Sequence, residues 1–416
     1  MIGAETEPAS PSLVGTECEL LVGPIAHGGH CVARWAGRVV FVRHSLPGER
    51  VLVRITEGDE SSRFLRGDAI DVLDAASGRV QPPCPYSGPG RCGGCDFQHV
   101  APSRQRELLG DVVAEQLQRL AGLDWPVQVA AVEPDALGWR TRMGWSVGTD
   151  DVVGLRRYRS HEVEPVDVCP IAHPDMPVVG AHPRPGVRRI DTVVSSTAEQ
   201  MVLADGQLVA GPAHVTERVA GRSFRVSGAG FWQVHPAAAA TLVEAVAALG
   251  GPARGERVVD LYSGVGLFSA FLGGAVGSVV SGAADARGAA SGSVLAVESD
   301  RTAVRDARRN LHGQPHVQIV HGRVDQVLRT GRLGTRSDLV VLDPPRTGAK
   351  ARVVRGIAEL RPSRVVYVAC DPAALARDVA TFAELGYRLA DLRAYALFPM
   401  THHVECVALL EPAGAG

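Results

Sequence analysis

The chain has 416 residues, of which 45% are hydrophobic and 21% are charged, and its formal net charge is −2. This composition excludes a disordered or low-complexity protein, and the charge balance excludes a globally basic nucleic-acid binder. No uncharged apolar run reaches the roughly 18 residues that a membrane span needs, and the N-terminus lacks the basic start and apolar core of a secretory signal. At roughly 150 residues per domain, we expect a cytoplasmic protein of two or three domains.

Short runs of alternating apolar and polar residues follow a tail, residues 1–12, that we expect to be disordered. Short strands with frequent turns predict a small barrel of the oligonucleotide-binding (OB) kind over residues 13–76. Its arginines suit RNA phosphates, although seven acidic residues between Glu49 and Asp74 make an ordinary solvated surface an equal explanation. These arginines are Arg34, Arg38, Arg43, Arg50, Arg54, Arg63 and Arg66.

Eight cysteines in a cytoplasmic chain indicate metal ligands or catalysts rather than disulfides. Cys84, Cys92 and Cys95 share one segment, and Cys169 stands alone before a proline. Helically spaced leucines and valines predict a helix over Pro102–Gly122. The rest of residues 80–228 is predicted to be a β-rich central domain with many arginines, among them Arg140, Arg142, Arg156, Arg157 and Arg159.

From residue 229 to residue 416 the pattern changes to helices that alternate with apolar strands. Four of these strands are apolar runs without alternation, as in a parallel sheet that is covered on both faces, and they are Val258–Tyr262, Val294–Glu298, Leu339–Asp343 and Val365–Ala369. We therefore predict a doubly wound α/β domain. Gly273–Gly292 is rich in Gly, Ala and Ser and is predicted to be a loop-like insertion without a function.

A glycine-rich loop, Asp260–Gly266, lies where the first of these strands should turn into a helix, and glycines there let a ligand approach the backbone. Glu298 ends the next strand, where an acidic side chain can hold two ribose hydroxyls. Asp325 follows at the expected end of a third strand, placed to meet an adenine amino group. Because the dinucleotide pattern GxGxxG is absent, the set predicts a nucleoside cofactor such as S-adenosylmethionine rather than NAD.

Asp343-Pro344-Pro345-Arg346 ends the following strand and resembles the Asp/Asn-Pro-Pro loop of methyltransferases that act on nitrogen atoms of bases. The next strand ends at Cys370, beside a helix that is expected to begin near Pro372. The dipole of this helix is expected to lower the pKa of the thiol, which predicts a nucleophile. Addition of a thiolate to carbon 6 of a pyrimidine activates carbon 5 for methylation.

Removal of the carbon-5 proton then needs a base, and Glu405 in the final hairpin is the predicted one. An acid beside the apolar run Cys406–Leu410 is expected to be buried, which raises the pKa of its carboxyl group. His402 and His403 are interpreted as structural or RNA-contacting residues rather than as bases.

These segments, with Phe231-Trp232-Gln233-Val234 and Leu375-Ala376-Arg377-Asp378, resemble the S-adenosylmethionine-dependent RNA (uracil-5-)-methyltransferases. The resemblance covers nearly the whole chain. It implies an N-terminal TRAM barrel, an iron–sulfur central domain and a class I (Rossmann-like) methyltransferase domain, with Cys370 as the nucleophile and Glu405 as the base. It also implies a pocket for the cofactor and the uracil that is lined by Gln233, Tyr262, Glu298, Asp325 and Asp343.

The resemblance further implies that a [4Fe-4S] cluster is held by Cys84, Cys92, Cys95 and Cys169, with zinc as the alternative for four thiolates. Seven residues separate Cys84 from Cys92, more than is usual in the family, and Gly88-Pro89-Gly90 is expected to absorb the difference.

Three residues of the catalytic domain depart from the family pattern. Ser263 stands in place of Cys, Leu267 in place of an Asn that can bond the cofactor, and Asp371 in place of Asn beside the nucleophile. The charge of Asp371 is expected to oppose thiolate formation unless a cation such as Arg377 pairs with it.

The expected substrate is structured RNA with a flipped-out uridine, and the barrel and cysteine cluster favour 23S ribosomal RNA over transfer RNA by resemblance. The barrel and the central-domain arginines would grip phosphates. Trp232 and Phe398 would either stack on bases or pack in the core. No membrane and no obligate protein partner is expected.

Three rival functions are considered. A nitrogen-directed methyltransferase would use Asp343 but has no need of Cys370 or Glu405. A radical enzyme needs a Cys-x3-Cys-x2-Cys triad, which the chain lacks. A cluster-bearing RNA-binding protein with weak or no catalysis would tolerate the loss of Cys370.

Overall fold

A computed structural model describes residues 10–180, 184–277 and 292–414. The chain divides into two compact units. The first comprises residues up to Leu108, together with Arg156–Glu164 and Met400–His402, and the second comprises the rest. The predicted tail lies outside the described residues except for its last three positions. No helix in the described ranges is long and apolar enough to cross a membrane.

A curled six-stranded sheet forms the N-terminal part of the first unit. Its strands are β1 (Glu17–Leu21), β2 (Ile25–Ala26), β3 (His30–Trp35), β4 (Arg38–Arg43), β5 (Arg50–Glu57) and β6 (Phe64–Asp74), in the order β1-β5-β6-β4-β3-β2. Three strands separate β1 from β3 in this order, yet the two are in contact, so the sheet curls on itself. Alternate residues of β5 point inward and are fully buried, which confirms the small N-terminal β unit.

A β-rich region follows, as predicted. Its elements are α1 (Pro102–Ala121), β7 (Val129–Ala130), β8 (Arg142–Val147), β9 (Val153–Arg156), β10 (Val163–Pro165), β11 (Arg189–Val194), β12 (Gln200–Ala204), β13 (Gln207–Ala210), β14 (His214–Val219) and β15 (Arg222–Ser227). In the second unit, neighbouring strands of one sheet run in the order β9-β8-β11-β12-β13, and β14 and β15 form a hairpin.

The remaining elements form a doubly wound α/β domain, which confirms the predicted fold class. They are α2 (Ala238–Gly250), β16 (Arg257–Leu261), α3 (Leu267–Val276), β17 (Ser293–Glu298), α4 (Arg301–Asn310), β18 (Val317–His321), α5 (Val324–Val327), a 3-10 turn (Leu328–Thr330), β19 (Leu339–Leu342), α6 (Lys350–Glu359), β20 (Arg364–Ala369), α7 (Pro372–Glu384), β21 (Tyr387–Tyr395) and β22 (Glu405–Pro412).

The strand order of this sheet is β18-β17-β16-β19-β20-β22-β21-β7. Strands β16 to β20 are parallel, and β21 and β22 form an antiparallel hairpin beside them. Strands β17 and β18 follow β16 toward one edge of the sheet, and β19 and β20 follow on its other side. The carboxyl ends of β16 and β19 therefore flank the crevice where ligands bind in such sheets.

Two predicted element boundaries differ from the structure. Asp325 does not end a strand, because β18 stops at His321 and Asp325 lies in the first turn of α5. The first residues of the Gly273–Gly292 stretch belong to α3, and residues 278–291 lie outside the described residues.

Candidate functional site

Four predicted site residues lie in a row at the carboxyl edge of the parallel sheet. Glu298 ends β17, Tyr262 follows β16, Asp343 follows β19 and Cys370 follows β20. These strands are consecutive neighbours in the sheet, so the four side chains border one crevice. Glu405 joins them from the antiparallel strand β22, because Ala369 and Cys406 are paired across β20 and β22.

The glycine-rich loop after β16 has a left-handed backbone at three positions. Tyr262 has φ of +63°, Gly264 of +55° and Gly266 of +90°. A side chain at Gly266 would collide with Leu311, whereas nothing lies within 4 Å of the position of a side chain at Gly264. The Ser263 hydroxyl is buried and has no hydrogen-bond partner among the described residues. The loop therefore offers open space and a buried polar atom to a ligand.

Glu298 is fixed by backbone amides around the mouth of this loop. Its Oε2 accepts a hydrogen bond from the N–H of Gly264 (2.9 Å), and its Oε1 accepts from the N–H groups of Ser299 and Asp300. This arrangement holds a carboxylate at the end of β17, where the sequence predicts contact with ribose hydroxyls.

Asp325 is held by two arginines rather than left open. It pairs with Arg323 (3.1 Å) and Arg352 (3.5 Å), and the hydrogen bond from Arg323 is the main cause that lowers the pKa of its carboxyl group. The charge of Asp325 also reaches Tyr262. Burial, then the charges of Asp378 and Asp325, raise the pKa of the Tyr262 phenol to about 12.

Gln233 lies in a loop whose two ends accept hydrogen bonds from residues at the start of β8. Thr141 donates from its N–H and its hydroxyl to the carbonyl of Val234 (2.8 and 2.9 Å), and Arg142 donates to the carbonyl of Gly230 (3.2 Å). The Gln233 side chain is buried but makes no hydrogen bond within the described residues, so its amide can serve a ligand.

The role expected for Arg142 is wrong. It was predicted among the arginines that would grip RNA phosphates, but its side chain is only 11% exposed and pairs with the buried Glu217 (3.5 Å). Burial lowers the pKa of the Arg142 guanidinium and raises the pKa of the Glu217 carboxyl group. The sequence did not reveal this pair, because the two residues lie on strands far apart in the chain.

The carboxyl groups beside Cys370 lack hydrogen-bond partners. Neither Asp343 nor Glu405 accepts a side-chain hydrogen bond from any residue in the described ranges, although Glu405 is only 3% exposed. Burial, then the charge of Asp260, raise the pKa of Asp343 to about 7. Burial and the charge of Asp343 raise the pKa of Glu405 well above its usual value, which confirms the predicted direction.

The predicted lowering of the Cys370 pKa is wrong for the protein without ligands. Burial raises the pKa of this thiol to about 12, the negative charges of Glu405, Asp343 and Asp371 add to the rise, and Arg346 opposes it. The sequence showed the helix that follows Cys370 but not the carboxylates that face it. Their combined negative charge suits a cationic ligand.

Asp371 caps the helix that follows the thiol. Its side chain accepts a hydrogen bond from the N–H of Ala374 (2.7 Å), and Pro372 occupies the first turn of α7. Asn and Asp are about equally good at this position. The departure from the family's Asn therefore preserves the cap, while it adds a charge beside Cys370.

A buried carboxylate that sequence reasoning left without a role fixes the loop after Asp343. Asp378 accepts hydrogen bonds from the N–H groups of Ala349 (2.7 Å) and Lys350 (3.1 Å) and from the hydroxyl of Tyr367 (2.7 Å). A side chain at Gly348 would lie 2.7 Å from this carboxylate. Two signals pointed to it: an acid at helical spacing in the apolar part of α7, and its place in the Leu375-Ala376-Arg377-Asp378 segment.

The two aromatic residues expected to stack on bases or pack in the core do pack. Trp232 is 6% exposed and lies against Phe224, with ring centroids 5.6 Å apart. Phe398 is partly buried against Trp139 and His403, at 6.3 and 5.8 Å.

Most arginines of the barrel are paired with neighbours. Arg43 is 6% exposed and lies over the ring of Tyr158 (3.5 Å). Others contact acidic side chains or carbonyls of the same unit: Arg38, Arg50, Arg54 and Arg66. Arg34 and Arg63 are exposed and make no ion pair with another described residue. The expected seven-arginine face is therefore reduced to a smaller surface.

The four cysteines predicted as metal ligands form no disulfide bond among the described residues. Cys84, Cys92 and Cys95 belong to the first unit and Cys169 to the second. The Gln98 amide donates a hydrogen bond to the sulfur of Cys95 (3.3 Å), and a side chain at Gly93 would collide with the backbone of Tyr158. Across the described ranges, no group of three or more His, Cys, Asp or Glu side chains is placed to hold a metal ion.

Comparisons with known proteins agree with this architecture. A family model described as TRAM domain matches residues 11–70, and one described as tRNA (Uracil-5-)-methyltransferase matches residues 190–413. Two relatives from Streptomyces avermitilis and Streptomyces coelicolor, both described as uncharacterized RNA methyltransferases, are each 47% identical. The matches cover 97% and 99% of this chain and 100% and 97% of the relatives.

One solved structure matches almost the whole chain. The crystal structure of Pyrococcus abyssi tRNA (uracil-54, C5)-methyltransferase in complex with S-adenosyl-L-homocysteine has a TM-score of 0.68 and 23% sequence identity. The match covers 94% of this chain and 100% of that one, so the two proteins share a fold.

Proposed function

The chain belongs to the tRNA (uracil-5-)-methyltransferase family and is an S-adenosylmethionine-dependent RNA methyltransferase; we propose that it methylates carbon 5 of a uridine through a covalent adduct of Cys370. One observation carries the proposal. Cys370, Asp343 and Glu405 border the same crevice, and neither carboxyl group is satisfied by a hydrogen bond among the described residues. A nitrogen-directed methyltransferase has no use for a thiol and a buried acid at these two positions.

Two residues carry the chemistry at the uracil. The Cys370 thiolate adds to carbon 6, and the electrons of the 5,6 double bond move into an enolate, so that carbon 5 becomes nucleophilic. When bound, S-adenosylmethionine would supply carbon 5 with the methyl group of its sulfonium, and S-adenosylhomocysteine would be the leaving group. Glu405 then takes the proton from carbon 5, the double bond re-forms, and the carbon–sulfur bond breaks to release the Cys370 thiolate.

The cofactor fits the open side of the crevice. Glu298 would accept from the ribose hydroxyls, and Gln233 and the loop around Tyr262 would line the rest of the pocket. Asp325, although it lies on α5, would reach the adenine from beside Tyr262. A positively charged ligand suits this group of carboxylates, and its charge would lower the pKa of Cys370 when it binds.

An exposed row on the barrel is the proposed RNA contact. Arg34 pairs with Val39 across β3 and β4, and Val39 pairs with Phe64 across β4 and β6, so these side chains share one face. Phe64 is 43% exposed and lies against Phe41, with Arg66 stacked near both rings. Aromatic rings interleaved with arginines suit stacked bases and phosphates.

We also propose that Cys84, Cys92, Cys95 and Cys169 hold a [4Fe-4S] cluster. Support comes from the family-like Cys92-Gly-Gly-Cys95 segment and from the hydrogen bond to the sulfur of Cys95. Protein purified without oxygen should contain iron and sulfide and absorb broadly near the visible range. Zinc without iron would support the alternative. The absence of both zinc and iron would contradict the proposal.

The substrate RNA is proposed to be 23S ribosomal RNA, with transfer RNA as the second candidate because the P. abyssi relative of the same fold is a transfer-RNA enzyme. Incubation of each RNA with isotope-labelled S-adenosylmethionine, followed by nucleoside mass spectrometry, tests both reaction and substrate. Labelled 5-methyluridine should form with the wild type and not with Cys370→Ala. A methylated nitrogen, or RNA binding without any methylation, would overturn the proposal.

A further inference from the structure

One side chain outside the predicted pocket bonds directly to the glycine-rich loop after β16. Asn310 is the last residue of α4, and its Nδ2 donates a hydrogen bond to the carbonyl of Val265 (3.0 Å). Val265 lies between Gly264 and Gly266, whose left-handed φ values of +55° and +90° give the loop its shape. The hydrogen bond therefore acts at the centre of the part of the loop that side chains other than glycine rarely fit.

The amide of Asn310 is held in one orientation by β15. Its Oδ1 accepts a hydrogen bond from the N–H of Arg225 (2.8 Å), and its Nδ2 also donates to the carbonyl of Arg225 (3.1 Å). Nδ2 carries two hydrogens, so one can serve Arg225 and the other Val265. A flipped amide would lose all three hydrogen bonds, because its oxygen would face two carbonyls.

Glu298 holds the residue next to Val265. Its Oε2 accepts from the N–H of Gly264 (2.9 Å), and its Oε1 accepts from the N–H of Asp300 (2.6 Å). Asp300 is the N-cap of α4, where its side chain accepts from the N–H of Ala303 (2.8 Å). The start of α4 is thus linked to the loop through Glu298, and its end is linked to the next residue of the loop through its own last side chain.

The residue after Asn310 packs against the same loop. Leu311 is only 4% exposed, and a side chain at Gly266 would lie 2.8 Å from its Cδ1. At Gly264 nothing among the described residues lies within 4 Å of the position of a side chain. The loop is therefore packed against the end of α4 at one glycine and open at the other, where the cofactor is proposed to bind.

We infer that Asn310 is a positioning residue for S-adenosylmethionine: by holding the carbonyl of Val265, it keeps the glycine-rich loop in the shape that leaves room for the cofactor. The inference rests on the proposed place of the cofactor between this loop and Glu298. Asn310 acts through Val265 and is not assigned a contact with the cofactor. Without this hydrogen bond the loop populates other shapes, and the apparent Kd rises as the competent fraction falls.

The test measures the Kd of S-adenosylhomocysteine for the full-length protein by isothermal titration calorimetry, which needs no substrate RNA. Asn310→Asp keeps the acceptor for the N–H of Arg225 but, when charged, has no donor for either carbonyl. Its Kd should rise about tenfold with an unchanged stoichiometry. Asn310→Ala, which also lacks the donors, should show a similar rise. Loss of stability alone would lower the stoichiometry and leave the Kd of the folded fraction as it is.

Hydrogen exchange followed by mass spectrometry gives a second measurement that does not depend on a ligand. In Asn310→Asp the amides of residues 262–266 should exchange faster than in the wild type, whereas those of β17 should keep their protection. Faster exchange in both segments would show a general loss of stability and would overturn the inference.

Two controls separate the possible failures. Val246→Ala removes buried methyl groups from α2 and should lower the melting temperature without changing the Kd; a rise in Kd equal to that of Asn310→Asp would contradict the inference. Glu298→Ala removes the predicted ribose contact. If it binds as the wild type does, the proposed cofactor site fails and the inference fails with it. If it binds weakly while Asn310→Asp keeps the wild-type Kd, only the role of Asn310 is wrong.

Discussion

Glu298 and Asp343 lie at the ends of two strands of the same parallel sheet, and their carboxyl groups differ in their hydrogen bonds. Glu298 accepts hydrogen bonds from three backbone N–H groups, whereas Asp343 accepts none from the described residues. The contrast extends to their neighbours, because Asp325 pairs with two arginines and Glu405 has no such partner within the described ranges.

This difference in hydrogen bonding separates a carboxyl group suited to bind the cofactor from one suited to take part in the reaction. A carboxylate that accepts hydrogen bonds from fixed backbone donors keeps its place, which suits recognition of a cofactor. A buried carboxyl group without donors has a raised pKa and can exchange a proton near neutral pH. We therefore propose that the half of the crevice with Glu298 binds the cofactor and that the half with Asp343, Cys370 and Glu405 carries the chemistry.

The largest expected effect follows from removing the proton acceptor. Glu405→Gln keeps the size of the side chain but cannot take the carbon-5 proton. Turnover should fall by about a hundredfold to ten-thousandfold. A single methyl transfer per enzyme should persist, which rapid quenching and counting of labelled methyl groups would show. Loss of the first transfer as well would assign Glu405 to an earlier step.

A large effect on stability is expected at Asp343. Its pKa is about 7 in the folded protein and 3.8 for an ordinary carboxyl group, so the folded state holds the proton more tightly. Its contribution to stability is full below pH 3.8 and is lost as the pH rises to about 7. The loss is at most about 4 kcal/mol.

Asp343→Asn removes this loss. The melting temperature of the variant minus that of the wild type should increase from pH 4 to pH 7 and stay constant above pH 7. Calorimetry across this range would measure the difference. A difference that does not change with pH would show that the pKa of Asp343 is not raised in the folded protein.

Glu298→Ala tests the cofactor half of the crevice. It removes the acceptor for Gly264 and the predicted ribose contact, so the Kd for S-adenosylhomocysteine should rise about tenfold to a hundredfold. Isothermal titration calorimetry would measure this Kd. Glu244→Ala, at an exposed position of α2, is the matched control and should bind as the wild type does. Equal Kd values for both variants would show that Glu298 does not contribute to cofactor binding.

The smallest expected effect concerns Asp371. Asp371→Asn keeps the cap of α7 and removes a charge beside Cys370, so stability should change little and adduct formation should accelerate. Asp371→Ala also removes that charge but loses the cap, at a cost of about 1 kcal/mol. Urea unfolding of both variants distinguishes the two contributions. A slower adduct in Asp371→Asn would show that the carboxylate assists the thiol instead.

Much of the fold and the site's location could be predicted from local sequence. Apolar runs without alternation, such as the one that ends at Glu298, are buried parallel strands, and the carboxyl ends of such strands meet at one edge. That rule alone brings Glu298, Asp343 and Cys370 together. The predicted helix over Pro102–Gly122 agrees with α1 to within one residue.

What could not be predicted depends on partners distant in the sequence. Arg142 reads as a surface arginine until Glu217 is placed beside it. The helix after Cys370 predicts a lowered pKa, but Asp343 and Glu405, which face the thiol from other strands, reverse the sign. Asp325 was misplaced because the short helix α5 has too few residues to show a periodic pattern.

The most direct test of the proposed roles of the two halves of the crevice is whether Cys370 forms a covalent bond with the uracil. Substrate RNA containing 5-fluorouridine is incubated with the protein and S-adenosylmethionine, denatured, digested and mapped by mass spectrometry. Because fluorine cannot leave carbon 5 as a proton, the account predicts a stable adduct on the peptide that contains Cys370. Methylation of uridine in ordinary RNA by Cys370→Ala, or an adduct on a different cysteine, would contradict it.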